Sequence, residues 1–178
     1  SQVDIGISVQ YHRILKKIHI NKIKEIAVNL HMAPLPEYRG CNQFSYAIIN
    51  EDIKFGTTLH QLEEGIDSGA IIFEKRFKIK KNIWVEELYK QTVSKSIELF
   101  KEALPKLLKN NYKLKPQSLF YSERKSNYYN RDSIEQLKKI NLSWDPDKIK
   151  KHVRATLMSG FKPPYFNIGK TEIYLEKQ

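Results

Sequence analysis

Two short β-branched runs constrain this chain more than any other feature. Val3-Asp4-Ile5-Gly6-Ile7-Ser8-Val9 and Ile26-Ala27-Val28-Asn29-Leu30-His31 have the length and composition of buried strands. Between them, Ile14, Leu15, Ile18 and Ile23 fall at irregular helical spacing, predicting one or two short helices between Tyr11 and Ile26. Pro34 and Pro36 stop the second run, because proline supplies no backbone donor to a ladder. A turn is expected at Arg39-Gly40, then a helix from Asn42 to Ile49. Phe55 to Leu62 and Ala70 to Ile79 alternate as strands around the turn Glu64-Gly65-Ile66-Asp67-Ser68-Gly69. Strands and helices alternating in this way specify an α/β domain.

The second half is mainly helical. Leu88, Thr92, Ile97, Leu99, Phe100, Leu104 and Leu107 mark an amphipathic helix over Val85 to Lys109, which Pro105 is expected to kink or end. Lys113 to Asp132 reads as an irregular connector. Helices should start at Asp132-Ser133 and at Asp145-Pro146, and Pro163 to Leu175 reads as a hairpin turning at Gly169-Lys170. The expected division is a core over residues 1–112 and a connector with a small helix-and-hairpin subdomain over residues 113–178.

Composition excludes several classes. With 40% hydrophobic residues among 178, the chain is too apolar for disorder, and no apolar run approaches the ~20 residues of a membrane-spanning helix. A single cysteine, Cys41, rules out an internal disulfide framework and favours a reducing compartment, so a cytoplasmic protein is expected. The net charge of +11 comes from lysines scattered among Ile, Asn and Tyr. It therefore reads as solvated surface, with an anionic small molecule or RNA as the alternative.

Chemistry concentrates after the second run. Residues i and i+2 of a strand share a side, so Asn29 and His31 project together at a strand's C-terminal end, the edge where open α/β sheets bind ligands. Asp67 follows in a glycine-flanked turn. A carboxylate there can orient an imidazole and stabilise its protonated form. An Asn amide can donate to an oxygen that becomes negative in acyl transfer. Such a set, without a nucleophilic side chain, suits attack by a substrate's own amine. His60, mid-strand, reads as a packing residue or a support behind the site. His12, His19, His60 and His152 show no metal-ligand spacing.

Asn29-x-His31, Leu35-Pro36-x-Tyr38-Arg39-Gly40, Gly56-Thr57-Thr58 and Gly65-Ile66-Asp67-Ser68-Gly69, in that order, resemble the formyltransferases that use N10-formyltetrahydrofolate. The resemblance covers about residues 3–110 and implies a Rossmann-type sheet of the formyltransferase kind. Such proteins carry their first strand and helix elements ahead of the position where this chain begins, so the sheet is expected to lack its N-terminal elements. Ser8-Val9-Gln10-Tyr11-His12 and the stretch from His31 to Phe44 look most like the enzymes that formylate dTDP-linked amino-dideoxy sugars, such as dTDP-4-amino-4,6-dideoxyglucose, for surface polysaccharides.

What the resemblance implies is specific. Asn29 would bind the formyl oxygen, His31 would take the amine's proton or act in its protonated form on the oxyanion, and Asp67 would orient His31 directly or through a water. Folate would lie along Gln10, Leu62, Glu64, Gly65 and Asp67. Tyr11, Tyr38, Arg39, Phe161 and Tyr165 would line the sugar-nucleotide site, with no metal, no membrane partner and a homodimer as in relatives. Alternatives are formylation of glycinamide ribonucleotide or another amine, hydrolysis of formyltetrahydrofolate, and a non-enzymatic RNA-binding domain on the same fold.

Overall fold

The structure is a computed structural model that describes residues 3–176 apart from 12 and 14. The expectations placed on His12 and Ile14 therefore lie outside the described residues. The chain runs β1 (Val3–Val9), α1 (Lys17–Ile20), β2 (Ile23–His31), β3 (Arg39–Gly40), α2 (Gln43–Ile49), β4 (Lys54–Gln61), β5 (Ile71–Lys78) and α3 (Val85–Leu108). A 3-10 turn (Gln117–Phe120), β6 (Tyr128–Tyr129), α4 (Ile134–Lys138), α5 (Pro146–Thr156), β7 (Tyr165–Ile168) and β8 (Thr171–Tyr174) complete it. Among the described residues four strands form the central sheet in the order β1-β2-β4-β5, parallel only between β1 and β2. The expected α/β class is what the chain forms.

The helix expected between the first two strands shrinks to α1, because β2 already begins at Ile23. Gly6 makes room for that start: a Cβ there would lie 2.2 Å from Ile23 Cδ1. β1 is a strand as expected but not a buried one. Val3, Ile7 and Val9 are 52%, 42% and 51% exposed, because among the described residues β1 pairs only with β2 and forms the sheet's edge.

β2 and β4 are the buried centre, and their two faces do different work. Val28, Leu30 and Leu59 pack with Leu99, Ala103 and Leu107 of α3, Phe55 packs with Val85 and Leu88, and the Ser96 hydroxyl donates to Thr57 Oγ1 at 2.8 Å. Strand alternation then turns Asn29, His31, Thr58 and His60 to the opposite face. The α3 pattern differs from expectation at one position: Ser96 is buried and Ile97 is 51% exposed. Pro105 does not end α3, which runs on to Leu108; it sits in the exposed last turn, where water can satisfy the carbonyl its missing N–H leaves unpaired.

Arg39-Gly40 is not a simple turn but β3, paired in parallel with β6. Gly40 is required there, since its φ is +89° and a Cβ would lie 2.2 Å from the Tyr129 carbonyl oxygen. The connector is likewise built into the core. Ile71 and Lys115 exchange backbone hydrogen bonds at 2.8 and 2.9 Å, and Asn42 Nδ2 donates to the carbonyls of Asn130 and Arg131, both at 2.9 Å. α4, α5 and the hairpin form as expected. Asp145 caps α5 by accepting from the Lys148 N–H at 2.9 Å, and Ala155 is buried in one cluster with Ala33, Tyr38, Ala47 and Phe55.

Candidate active site

The antiparallel register of β2 and β4 sets Asn29 opposite His60 and His31 opposite Thr58, so four polar side chains meet on one face. The turn between β4 and β5 returns Asp67 over them. Its Oδ2 lies 3.6 Å from His31 Nδ1 and accepts the Gly40 N–H at 2.9 Å. Its Oδ1 lies 3.4 Å from His60 Nε2 and 3.5 Å from Asn29 Nδ2. Asn29 Nδ2 is also 3.2 Å from His60 Nε2. The expected cluster of Asn29, His31 and Asp67 thus assembles, and His60, expected as packing or support, stands in direct contact with it.

Hydrogen-bond chemistry fixes the tautomers. His31 Nε2 lies 2.6 Å from the Tyr38 carbonyl oxygen, which can only accept, so Nε2 carries the hydrogen and Nδ1 faces the carboxylate. His60 Nδ1 donates to the Gln61 carbonyl at 2.8 Å, and its Nε2 faces both Asn29 Nδ2 and Asp67 Oδ1. The Asn29 amide nitrogen thus stands between Asp67 and His60.

Burial pushes the His31 pKa down, and the nearby Asp67 charge only partly restores it, so the ring is neutral near pH 7. Burial of Asp67 works to raise its carboxyl. Hydrogen bonding by His60, the positive charge His31 carries once protonated in acid, and the Gly40 N–H outweigh that and hold it at about 2. The pair is a buried carboxylate facing an imidazole able to take a proton.

The Gly56-Thr57-Thr58 motif builds the loop that follows β2. The Thr58 hydroxyl donates to the Ala33 carbonyl at 2.8 Å and accepts the Leu35 N–H at 3.3 Å. A Cβ on Gly56 would lie 2.9 Å from Arg76 Cδ. Arg76 forms a bidentate pair with Glu37 at 2.9 and 3.1 Å and also bonds Glu74. Arg124 bonds Glu74 at 2.7 Å and the Leu35 carbonyl at 3.2 Å.

The other sequence-derived residues are spread more widely. Gln10 (φ +50°) and Tyr11 are exposed just past β1, at the same sheet edge as Asn29. Gln10, Leu30, Met32 and Phe100 line a groove of about 360 Å³. Leu62 is tied to β2 by its N–H on the Ala27 carbonyl at 2.8 Å, and Glu64 and Gly65 are exposed beyond it. Tyr38 does not present its ring: it is 3% exposed, its hydroxyl donates to Asp52 at 2.5 Å and accepts from Asn50 at 3.0 Å. Its main-chain carbonyl is what reaches the cluster. Arg39 Nε donates to the Asn127 carbonyl at 3.4 Å. Phe161 is exposed between α5 and β7, and Tyr165 opens the hairpin under Lys162. The structure brings neither to the cluster. Among the described residues no helix is long and apolar enough to cross a membrane.

Residues 1–104 match the family model described as formyl transferase. The chain is 25% identical over 97% of its length to the GDP-perosamine N-formyltransferase of Brucella melitensis biotype 1, of which it spans 64%. Among solved structures it is similar to a sugar N-formyltransferase from Shewanella sp FDAARGOS_354, with 25% identity, a TM-score of 0.85, and 98% of this chain and 69% of that one covered. It is also similar to the N-formyltransferase from Helicobacter canadensis solved with folinic acid and dTDP-3-aminofucose, with 30% identity, a TM-score of 0.77, and 94% and 59% covered. The sequence motifs, the sheet that carries them and these matches agree, and the chain belongs to the formyl transferase family.

Proposed function

We propose that this protein transfers a formyl group from N10-formyltetrahydrofolate to the amine of a nucleotide-linked amino sugar, with a dTDP-linked amino-dideoxy sugar as substrate. The observation that carries the reading is the buried pair of neutral His31 and ionised Asp67 beside the Asn29 amide. In the reaction the amine nitrogen bonds to the formyl carbon, the bond from that carbon to N10 breaks, and the amine's proton ends on N10. Asn29 donates to the formyl oxygen as negative charge develops there, giving up one of its two long hydrogen bonds to do so. His31 takes the amine's proton at Nδ1, and Asp67 stabilises the imidazolium that results.

The turn after Leu62 suits a ligand read by main-chain groups. Gly65 is exposed with φ +132°, and a Cβ there would lie 2.5 Å from Ser68 Oγ, so the backbone stays bare. Leu62, Glu64, Gly65 and Asp67 would hold the folate, with Gln10 at the adjoining edge, while Tyr11 and Arg39 would meet the sugar nucleotide. Phe161 and Tyr165 belong to the same proposal only if substrate reaches the C-terminal hairpin. A cytoplasmic homodimer is part of the reading, as is the choice of dTDP: one similar protein is named for a GDP sugar and another was solved with a dTDP sugar.

The test is formyl transfer from N10-formyltetrahydrofolate to dTDP-amino and GDP-amino sugars, followed as tetrahydrofolate release. Product with the dTDP sugar, lost on the order of 10²–10⁴-fold in His31→Ala, is expected. Equal turnover by His31→Ala would sink the mechanism, and preference for the GDP sugar would correct the nucleotide.

A further inference from the structure

Asp67 holds a backbone conformation that side-chain-bearing residues rarely adopt, with φ +50°. Such a conformation persists only where neighbours over-determine it. Two constraints are visible. Gly69 closes hard against β4, since a Cβ there would lie 1.9 Å from the Gln61 carbonyl oxygen. The second is Gln117, which is 4% exposed and stands two residues beyond the Lys115–Ile71 pairing. Its Nε2 donates to the carbonyls of both Asp67, at 2.7 Å, and Gly69, at 2.9 Å. One side-chain amide therefore spans the turn.

The orientation of that amide is dictated by its surroundings. Two carbonyl oxygens demand the NH2 end, and among the described residues none donates to the buried Oε1 end. A buried orphan acceptor is costly. Apolar packing alone would favour a hydrocarbon at this position, whereas the two donors aimed at the turn make use of glutamine. Glutamate would set a carboxylate against two carbonyls, and asparagine is one carbon shorter.

We propose that Gln117 is a positioning residue of the candidate active site: by tying the carbonyls of Asp67 and Gly69 together it aims the Asp67 carboxylate at His31, Asn29 and the Gly40 N–H. It reaches no reacting atom itself. The assignment rests on the reading of Asp67 as the partner of His31 in formyl transfer. It also explains why the segment after α3 pairs with β5 before it diverges: that pairing delivers Gln117 to the turn.

The experiment is Gln117→Met in the full chain, which keeps the length and removes both donors. The Asp67 carboxyl and the His31 ring are titrated by NMR with labelled Asp and His, and Tm is recorded. The expected result is a folded variant whose Asp67 carboxyl titrates clearly above about 2, whose His31 midpoint falls as the carboxylate leaves it, and whose kcat drops on the order of 10–10²-fold with KM nearly kept. Unchanged Asp67 and His31 titrations in a folded variant overturn the proposal, even if Tm falls. If Gln117→Met does not fold, hydrogen exchange of the wild-type Gln117 side-chain amide decides. Exchange far slower than that of exposed Gln136 supports the clamp, and equal exchange overturns it. Because titration needs no turnover, shifted titrations alongside a silent formyl-transfer assay would count against the reaction alone.

Discussion

His31 Nε2 sits 2.6 Å from the carbonyl oxygen of Tyr38, seven residues further along the chain. That contact makes the loop after β2 part of the candidate site through its backbone, while the Tyr38 ring faces the core. The side chain and the main chain of Tyr38 should therefore separate experimentally. Tyr38→Phe removes a hydroxyl that Asp52 and Asn50 both use, and is expected to cost about 1–2 kcal/mol of stability. It leaves the carbonyl in place, so kcat should stay within about twofold of wild type once the protein is folded. Denaturant melts and steady-state kinetics on the same preparation check both halves. A large loss of kcat at unchanged KM would mean that the ring or hydroxyl takes part in the chemistry.

The pH dependence of turnover follows from the same ring. In the proposed reaction His31 must be neutral to accept a proton, and burial lowers its pKa, so kcat should hold to lower pH than an unperturbed histidine with a midpoint of ~6.5 allows. Asp67 is the group that pulls this pKa back up. Asp67→Asn should thus shift the acid limb of kcat to still lower pH while reducing its plateau. A pH–rate profile from pH 4 to 8, with a substrate amine of known pKa, distinguishes this from simple loss of activity.

How far these features could be read from residues alone differs between backbone and site. Asn29, His31 and Asp67 were accessible because strand parity and the order of motifs are local properties of the sequence. His60 was legible only as packing or support: its contact with Asn29 depends on the antiparallel register that sets the two opposite, and register is decided by the turn and its packing. Arg39-Gly40 reads as a turn because its partner, Tyr128-Tyr129, is far along the chain. β-Branched composition makes β1 look buried, but composition cannot tell an edge strand from a central one. Ser96 and Ile97 exchange their expected positions because the Thr57 hydroxyl waits opposite Ser96, a polar match that a hydrophobic pattern does not register.

Stability in acid gives a third expectation. The Asp67 carboxyl is held at about 2 in the folded chain, against ~3.9 when unfolded. Its folded pKa is depressed, so the stabilisation is present above ~4 and is lost as pH falls from there through about 2. The whole difference is about 2–3 kcal/mol. The lowered pKa of His31 acts in the same direction at higher pH, because the unfolded chain takes up that proton first as pH falls below ~6.5. Urea unfolding at intervals from pH 7 to 2 should show stability falling across both windows. In Asp67→Asn the lower window should flatten while the upper one remains.

Arg124 offers the last expectation, since it ties the connector to the loop that carries Tyr38. Its guanidinium bonds Glu74 at 2.7 Å and the Leu35 carbonyl at 3.2 Å, and lies 4.3 Å from the centre of the Phe120 ring. Glu74 also serves Arg76, whose other partner is Glu37, so one chain of charges runs from the connector to the loop after β2. Arg124→Met keeps much of the packing and removes the donors. Glu74 is left with Arg76, and the Leu35 carbonyl loses this donor. These groups are partly solvated, with side chains 15–29% exposed, so a loss of about 1–2 kcal/mol is expected rather than the 3–5 of a fully buried pair. Functionally the variant should loosen the loop that presents the Tyr38 carbonyl to His31, lowering kcat more than it raises KM. Arg124→Lys should recover charge but not the forked geometry, and fall between the two. Equal kcat in all three proteins, with only Tm changed, would show that the chain of charges supports the fold without setting the site.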